Sequence, residues 1–279
     1  MSYKIITDSC GELPEDFRKV VNTQIVPLSI IVDKYCIDDD ENFDQAELIK
    51  QIAMSPVGAK SSCPSPESFM EAIAGDAERV YIITLSANLS GSYNSARLAR
   101  EMYLEEHNDK QIHVFDSRSA SCGQTQIAYW IRELEEAGLA FDEIVDKCEF
   151  RITHRRTFFV LDNLETLRKN GRLSNIKSFV ANTLNIKPIM AGTKVGTIEQ
   201  AGQCRGIKKA LSKMVDISLE GINNTEERVL MIAHCNCLER ANAVLEEYKK
   251  KAKFKNTLII DTRGISTMYA NDGGIIVTL

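Results

Sequence analysis

Two hydroxyl groups flank a glycine where the sequence changes from a strand pattern to a helix pattern. Ser90-Gly91-Ser92 follows the apolar run 80–85 and begins a helical pattern that extends to Glu106. The first backbone amides of a helix have no intrahelical acceptor and lie at the positive end of the helix dipole. These residue types therefore predict a site for a carboxylate or a phosphate. The alternative is that Ser90 only caps the helix.

A second hydroxyl pair, Ser61-Ser62, precedes a helix start. Ser65, Pro66 and Glu67 provide an N-cap, a proline at the first helical position and an acidic first turn. Because the two serines have no comparable structural role, they are candidate donors to a ligand. An exposed polar loop is the alternative interpretation.

Carboxylates follow two other predicted strands. Asp8 comes directly after the run 3–7, and Asp116 after the run 112–115. In an open α/β sheet, ligands bind beyond the carboxyl ends of the strands. One alternative is therefore an enzyme that acts on a small carboxylated or phosphorylated metabolite, with Asp8 or Asp116 as general base. The sequence offers such an enzyme neither a nucleophile–base pair nor a nucleotide-binding loop.

We predict no metal site and no cofactor. His234, Cys235 and Cys237 stand close together, but no second cluster of ligands accompanies them. The eight cysteines include no Cys-x-x-Cys pair, which is typical of free thiols in a reducing compartment. The N-terminal residues do not show a signal-peptide pattern. We therefore expect a cytoplasmic protein.

Composition and charge disfavour two classes of protein. The 279 residues are 44% hydrophobic and 26% charged, which is ordinary for a globular chain. The net charge of −5 disfavours broad nucleic-acid binding, which requires a basic surface. No run approaches the roughly 18 apolar residues of a membrane span, although transient contact with a membrane surface stays open.

Strand and helix patterns alternate, which predicts the α/β class with a mostly parallel N-terminal sheet. We expect two domains, 1–152 and 153–279. In the first, the predicted strands are 3–7, 24–32, 80–85 and 112–115, and the predicted helices are 44–54, 66–75, 92–106, 123–137 and 141–155. In the second, the predicted strands are 157–161, 186–190, 229–234, 257–261 and the C-terminal GGIIVTL, with a hairpin at 191–202. The predicted helices are one that follows 157–161 and ends in the turn 168–174, and two more at 207–218 and 238–251.

An ordered set of motifs runs along nearly the whole chain. The segments are TDSCGELP, KSSCPSPESF, LSANLSGSYNSA, HVFDSRSASCG, NGRLS and IKPIM, followed by a late His-x-Asn. Together they resemble the DegV family, whose members are similar to the fatty-acid-binding subunits of bacterial fatty-acid kinase. The resemblance implies a bacterial protein with a two-domain α/β fold and a lipid tunnel between the domains.

The resemblance also implies roles for particular residues. In the family, a hydroxyl pair before the Pro-Ser-Pro helix and the serine of the LSG motif contact the fatty-acid carboxylate. The implied carboxylate site here consists of Ser61, Ser62, Ser90, Gly91 and Ser92. Arg172 and Arg205 match basic positions that the family uses for docking the kinase or stabilising phosphate.

One segment departs from the family pattern. The family has a histidine in a Thr-His-x-Gly-Pro-Gly segment, where it joins the head-group network. Met268 stands at that position here, and the Gly-Pro-Gly turn is absent. A methionine cannot donate a hydrogen bond to a carboxylate, and Asp272 nearby would repel an anion. We therefore expect altered head-group recognition or kinase coupling, with Met268 as a candidate for the tunnel lining.

The resemblance implies a lipid carrier that has no catalytic activity of its own. A long-chain fatty acid would bind non-covalently and be presented to a separate kinase that phosphorylates its carboxylate. Burial of about fifteen methylenes at ~0.8 kcal/mol each contributes roughly 12 kcal/mol before the costs of ordering. Besides the enzyme named above, a lipid sensor that reports its occupancy to a protein partner is a further alternative.

Overall fold

The computed structural model describes residues 2–173 and 185–279, which form thirteen strands and ten α-helices. The strands are β1 (Tyr3–Asp8), β2 (Thr23–Val26), β3 (Ser29–Val32), β4 (Tyr35–Asp38), β5 (Ala59–Ser62), β6 (Arg79–Thr84), β7 (Gln111–Asp116), β8 (Thr157–Val160), β9 (Ile186–Gly192), β10 (Ile198–Arg205), β11 (Val229–His234), β12 (Asn256–Asp261) and β13 (Ile275–Thr278). The helices are α1 (Glu15–Val20), α2 (Gln45–Met54), α3 (Pro66–Ile73), α4 (Ser92–Glu106), α5 (Cys122–Glu136), α6 (Phe141–His154), α7 (Glu165–Lys169), α8 (Ile207–Leu219), α9 (Leu238–Lys251) and α10 (Gly264–Ala270). The last residue of the NGRLS motif, Ser174, lies outside the described residues.

The first sheet is parallel, with the strand order β2-β1-β6-β7. Side chains alternate between the two faces of each strand. Ile6 and Ile82 therefore pack on one face with α3 and α4, while Ile5 and Tyr81 pack on the other with α5 and α6. All four side chains are fully buried, so the sheet is covered by helices on both faces. This confirms the predicted parallel N-terminal sheet.

The second sheet is mixed and has the order β10-β9-β8-β13-β11-β12. Only the pair β11–β12 is parallel, and the other neighbours are antiparallel. Helices α8 and α9 contribute Met214 and Val244 to the core on one face. On the other face, Cys122 of α5 packs against Met231 and Ala233 of β11. Helix α5 is therefore shared by the two sheets, and the α/β class with a second sheet is confirmed.

A small antiparallel sheet, β4-β3-β5, was not expected from the sequence. The single strand predicted at 24–32 is wrong, because the chain leaves the parallel sheet after Val26 and enters the small sheet at Ser29. Pro27 has no backbone N–H and cannot donate to a strand ladder. The next amide, that of Leu28, donates to the Ser9 hydroxyl at 3.0 Å. Pro27 and Leu28 thus form a short connection between the parallel sheet and the small sheet.

The boundary between the two predicted domains falls next to the end of α6. This helix ends at His154 and buries Ile144, Cys148 and Ile152 in the core of the parallel sheet. The second sheet begins three residues later, at Thr157. Helix α10, however, contacts α2 and β3 of the N-terminal part. The boundary at 152/153 stays a prediction.

Candidate functional site

The buried carboxyl group of Asp8 and the half-buried one of Asp116 fix the loop between β6 and α4. Asp8, at the end of β1, accepts a hydrogen bond from the Leu85 N–H at 2.7 Å. Asp116, at the end of β7, accepts from the Ala87 N–H at 3.0 Å. The structure thus brings the three predicted segments to one edge of the parallel sheet. Both carboxyl groups are engaged in positioning the loop, which leaves little of their acceptor capacity for a general base.

The loop ends in the hydroxyl-rich start of α4. Gly91 is the N-cap residue and has no side chain to satisfy the first amides. The Ser90 hydroxyl accepts from the Ser92 N–H at 3.2 Å and lies 3.0 Å from the Ser92 hydroxyl. Ser90 therefore has a partial capping role, one residue before the N-cap. The remaining amides of the first turn have no intrahelical acceptor and favour an anion.

Strand β5 carries the second hydroxyl pair and ends next to the start of α4. Ser61 and Ser62 face opposite sides of the strand, and Ser62 is exposed. The Ser61 hydroxyl lies 3.3 Å from the hydroxyl of Tyr269 on α10. A Cβ atom at Gly91 would lie only 2.8 Å from the Cys63 sulfur. The end of β5 and the start of α4 are therefore in contact, and a side chain at position 91 would separate them.

An apolar cavity lies between the parallel sheet and the second sheet. Its volume is about 100 Å³, and its lining is almost entirely apolar. Leu85 and Leu89 of the β6–α4 loop form part of its wall. Phe159 and Ile276 of the second sheet, and Leu161 directly after β8, form another part. The cavity therefore reaches the loop that carries Ser90 and Gly91.

One face of α10 forms part of the cavity wall. The lining residues of this helix are Ile265, Ser266, Tyr269 and Ala270. Met268 is fully buried on another face, in a cluster with Leu48 and Ile30, and is not among the described lining residues. The sequence interpretation missed Tyr269, because the segment showed no helix pattern that would separate the faces of neighbouring residues.

The two predicted arginines have different surroundings. Arg172 lines the cavity, and its Nε donates to the Leu89 carbonyl oxygen at 3.2 Å. Arg205 is exposed at the end of β10, where it pairs with Ile186 of β9, and it is not among the described lining residues. Asp272, which the sequence suggested as a source of repulsion, accepts from the Asn236 amide at 3.0 Å.

A buried carboxyl group, Glu12, lies behind the cavity wall. Burial raises its pKa to about 8, an effect opposed by hydrogen bonds from Ser266 and Ser121. Both serines line the cavity, and the Ser121 hydroxyl donates to Glu12 at 2.8 Å. Burial also raises the pKa of Asp8 to about 6. At neutral pH Glu12 is mostly protonated, so the cavity wall carries no buried negative charge at this point.

The described residues include no group of three or more side chains suited to hold a metal ion. His234 lies 3.4 Å from Asp261, and the Cys237 amide donates to the His234 ring. In the same described part of the chain, every helix is too short or too polar to cross a membrane.

A family model described as an uncharacterised protein of the DegV family matches residues 2–275. The chain belongs to the DegV family. Among curated relatives, a DegV domain-containing protein of Streptococcus pneumoniae is 32% identical over 281 residues, which cover 99% of this chain and 98% of the relative.

Solved DegV structures match the fold over its full length. A DegV protein of Ruminococcus gnavus, refined with vaccenic acid, is 52% identical with a TM-score of 0.97, and the match covers 100% of this chain and 99% of that one. The Streptococcus pneumoniae Fatty Acid Kinase (Fak) B3 protein loaded with linoleic acid is 30% identical with a TM-score of 0.87, over 100% of this chain and 99% of that one.

The raised carboxyl pKa values predict a stability that declines as the pH rises. The folded protein binds these protons more tightly than the unfolded chain does. The stability that this binding contributes is therefore complete below the unfolded pKa of about 4, and it is lost progressively as the pH rises from there to the folded pKa. Since the pKa of Glu12 is about 8, its deprotonation should lower the free energy of unfolding by roughly 3 kcal/mol between pH 6 and pH 9. Glu12→Gln should flatten this decline in urea titrations.

Glu71→Gln is the matched control, because Glu71 is exposed on α3. It should retain the wild-type decline. An equal decline in Glu12→Gln and wild type would show that Glu12 is not the group that titrates.

Proposed function

We propose that this DegV protein binds a long-chain fatty acid non-covalently, with its acyl chain entering the apolar cavity, which has to widen to take a whole chain because its volume is only about 100 Å³. The observation that carries the proposal is an almost entirely apolar cavity whose lining includes Leu89, the residue before Ser90, and Tyr269, whose hydroxyl lies 3.3 Å from that of Ser61. The predicted carboxylate residues Ser61, Ser62, Ser90, Gly91 and Ser92 are not among the described lining residues. Apolar burial contributes most of the binding free energy, because each methylene gains about 0.8 kcal/mol. DegV structures of Ruminococcus gnavus and Eubacterium eligens, described with vaccenic and heptadecanoic acid, support this ligand class.

The carboxylate would lie where β5 meets the start of α4. Ser61 and Ser90 offer hydroxyl groups there, and the amides that follow Gly91 offer backbone donors. Tyr269 adds a phenol hydroxyl that already contacts Ser61. Hydrogen bonds at this end orient the head group and prevent an unpaired buried charge. Tyr269 thus provides a donor next to the position where the family has its histidine.

We further propose that the protein presents the bound acid to a separate fatty-acid kinase and has no catalytic activity of its own. The likeness to the Fak B3 protein supports a kinase partner. Arg172 on the cavity wall and the exposed Arg205 are the candidate contacts for that kinase or its phosphate. We expect this to take place in the cytoplasm, since all eight cysteines are free thiols.

The enzyme alternative is weaker because of how its candidate bases are bonded. Asp8 accepts three hydrogen bonds, from the Leu85 and Cys10 amides and from Gln124. Asp116 accepts from the Ala87 and Arg118 amides. Release of ADP from ATP and oleate by the isolated protein would favour the enzyme.

The protein purified from a bacterial host should carry fatty acid at close to one molecule per chain. Ala120 lines the cavity, so Ala120→Leu fills part of it and should lower the acyl content at least several-fold. Organic extraction followed by mass spectrometry measures this content. Ala137→Leu, at an exposed position after α5, should retain it. Folded wild-type protein without extractable acyl chains would overturn the proposal.

Ser90→Ala should weaken fatty-acid binding by roughly 1–3 kcal/mol if its hydroxyl contacts a buried carboxylate. Competition with a fluorescent fatty acid gives the affinity. Ser95→Ala, one turn further along α4, should bind as the wild type does. Equal affinities of all three proteins would leave Ser90 with its capping role alone.

A further inference from the structure

A second concave surface, which we call the basic crevice, opens between the two sheets. It is lined by Arg118, by residues 152–158, by the β9–β10 hairpin and by the chain between α8 and β11. Its volume of about 1090 Å³ is roughly ten times that of the apolar cavity. The two spaces share Arg118, Thr157 and Gly192 in their walls. The proposed carboxylate residues Ser61 and Ser90 do not line the basic crevice.

Positive charge predominates in the basic crevice. Its cationic lining residues are Arg118, Arg155, Arg156, Lys194 and Arg228, and its carboxylates are Glu199 and Glu220. The whole chain, by contrast, has a net charge of −5. Asp116, which acts on Arg155 although it is not among the lining residues, does not reverse this excess. Within residues 2–173 and 185–279, the side-chain ion pairs involve other cations.

Three of these arginines are held by backbone carbonyl oxygens. The acceptors are those of Gly123 and Ser117 for Arg155, Ser218 and Glu220 for Arg156, and His154 for Arg228. A carbonyl group orients a guanidinium group without neutralising its charge. The arginines are therefore positioned in advance, and their positive charge is still available to an anion.

Like charges lie close together in the basic crevice. Burial lowers the pKa of Arg155 to about 10; Cys122 and Asp116 oppose this effect, and Arg118 adds a smaller lowering. Burial and the charge of Arg156 lower the pKa of Arg228. Each guanidinium group thus lies where positive charge is disfavoured by its surroundings. A bound anion would relieve this repulsion.

We propose that the basic crevice binds the phosphate group of a small soluble ligand. Guanidinium groups present paired N–H donors that match the oxygens of a phosphate. Several cations in one crevice suit a dianion better than a single carboxylate. The concave shape favours a small molecule over the flat surface of a phospholipid bilayer. This site is independent of the proposed fatty-acid carboxylate site.

Inorganic pyrophosphate is the probe, measured by calorimetry on the full chain at low salt. The test variant is Arg118→Gln/Lys194→Gln. These two side chains, unlike the carbonyl-bound arginines, donate none of the hydrogen bonds found in the described residues, so their removal should leave the fold intact. Loss of two charge-assisted contacts should weaken binding about ten-fold or more. Lys208→Gln, exposed at the start of α8, should bind as the wild type does.

Three results would overturn the proposal. The first is no heat of binding from the wild type with millimolar pyrophosphate. The second is that the wild type and the double variant bind pyrophosphate with equal affinity and have the same melting temperature. The third is that phosphatidylglycerol vesicles capture the wild type but not the double variant, while the wild type does not bind pyrophosphate. That result would assign these cations to a lipid headgroup.

Discussion

The carboxyl group of Asp8 is the interaction on which the site depends. It lies at the end of β1 and holds the Leu85 amide of the next strand at 2.7 Å and the Gln124 side chain of α5 at 2.8 Å. One buried group thus connects the sheet edge, the loop before α4 and the helix shared by the two sheets. Each of its hydrogen bonds offsets part of the cost of burying a carboxyl group. Together with the bond from the Ala87 amide to Asp116, they fix the start of α4 relative to the cavity.

Helix α5 packs against both sheets. Its residues Ile127 and Ile131 pack on the parallel sheet, while Cys122 packs on β11 of the second sheet. The cavity lies next to the residues that precede this helix, and its lining comes from the loops that follow the parallel strands, from the second sheet and from α10. The polar groups nearest this space are mostly paired with each other, as Ser119 is with Thr157 at 2.8 Å. This pairing leaves an apolar wall, which suits an acyl chain.

The head-group end of the site joins parts of the chain that are far apart in sequence. Ser61 of β5 meets Tyr269 of α10 across more than two hundred residues. Asp39, at the end of β4, accepts from the Gly264 and Ile265 amides that begin α10. The small sheet therefore anchors the helix that supplies part of the cavity wall. Its role explains why a sheet of three short strands is attached to the edge of the parallel sheet.

The sequence by itself determined most of the elements and the sites where parallel strands end. Runs such as 80–85 and 229–234 were found because a buried strand needs a continuous apolar stretch, and α4 was predicted over 92–106, the bounds that the structure has. The order of motifs also pointed to the family. The strand 24–32 was predicted wrongly, because its apolar pattern continues across Pro27. Its two halves are separate strands only because they pair in different sheets.

Tertiary structure alone decided which side chains face the cavity. Met268 and Tyr269 are neighbours in sequence, and a rotation of about 100° per residue along α10 puts the first in the core and the second in the cavity wall. The basic crevice likewise collects arginines from the loop after β7, from the loop after α6 and from the residue before β11. Such contacts depend on how helices and sheets pack. A local hydrophobic pattern indicates whether a segment is a helix or a strand, but it does not indicate which other element the segment packs against.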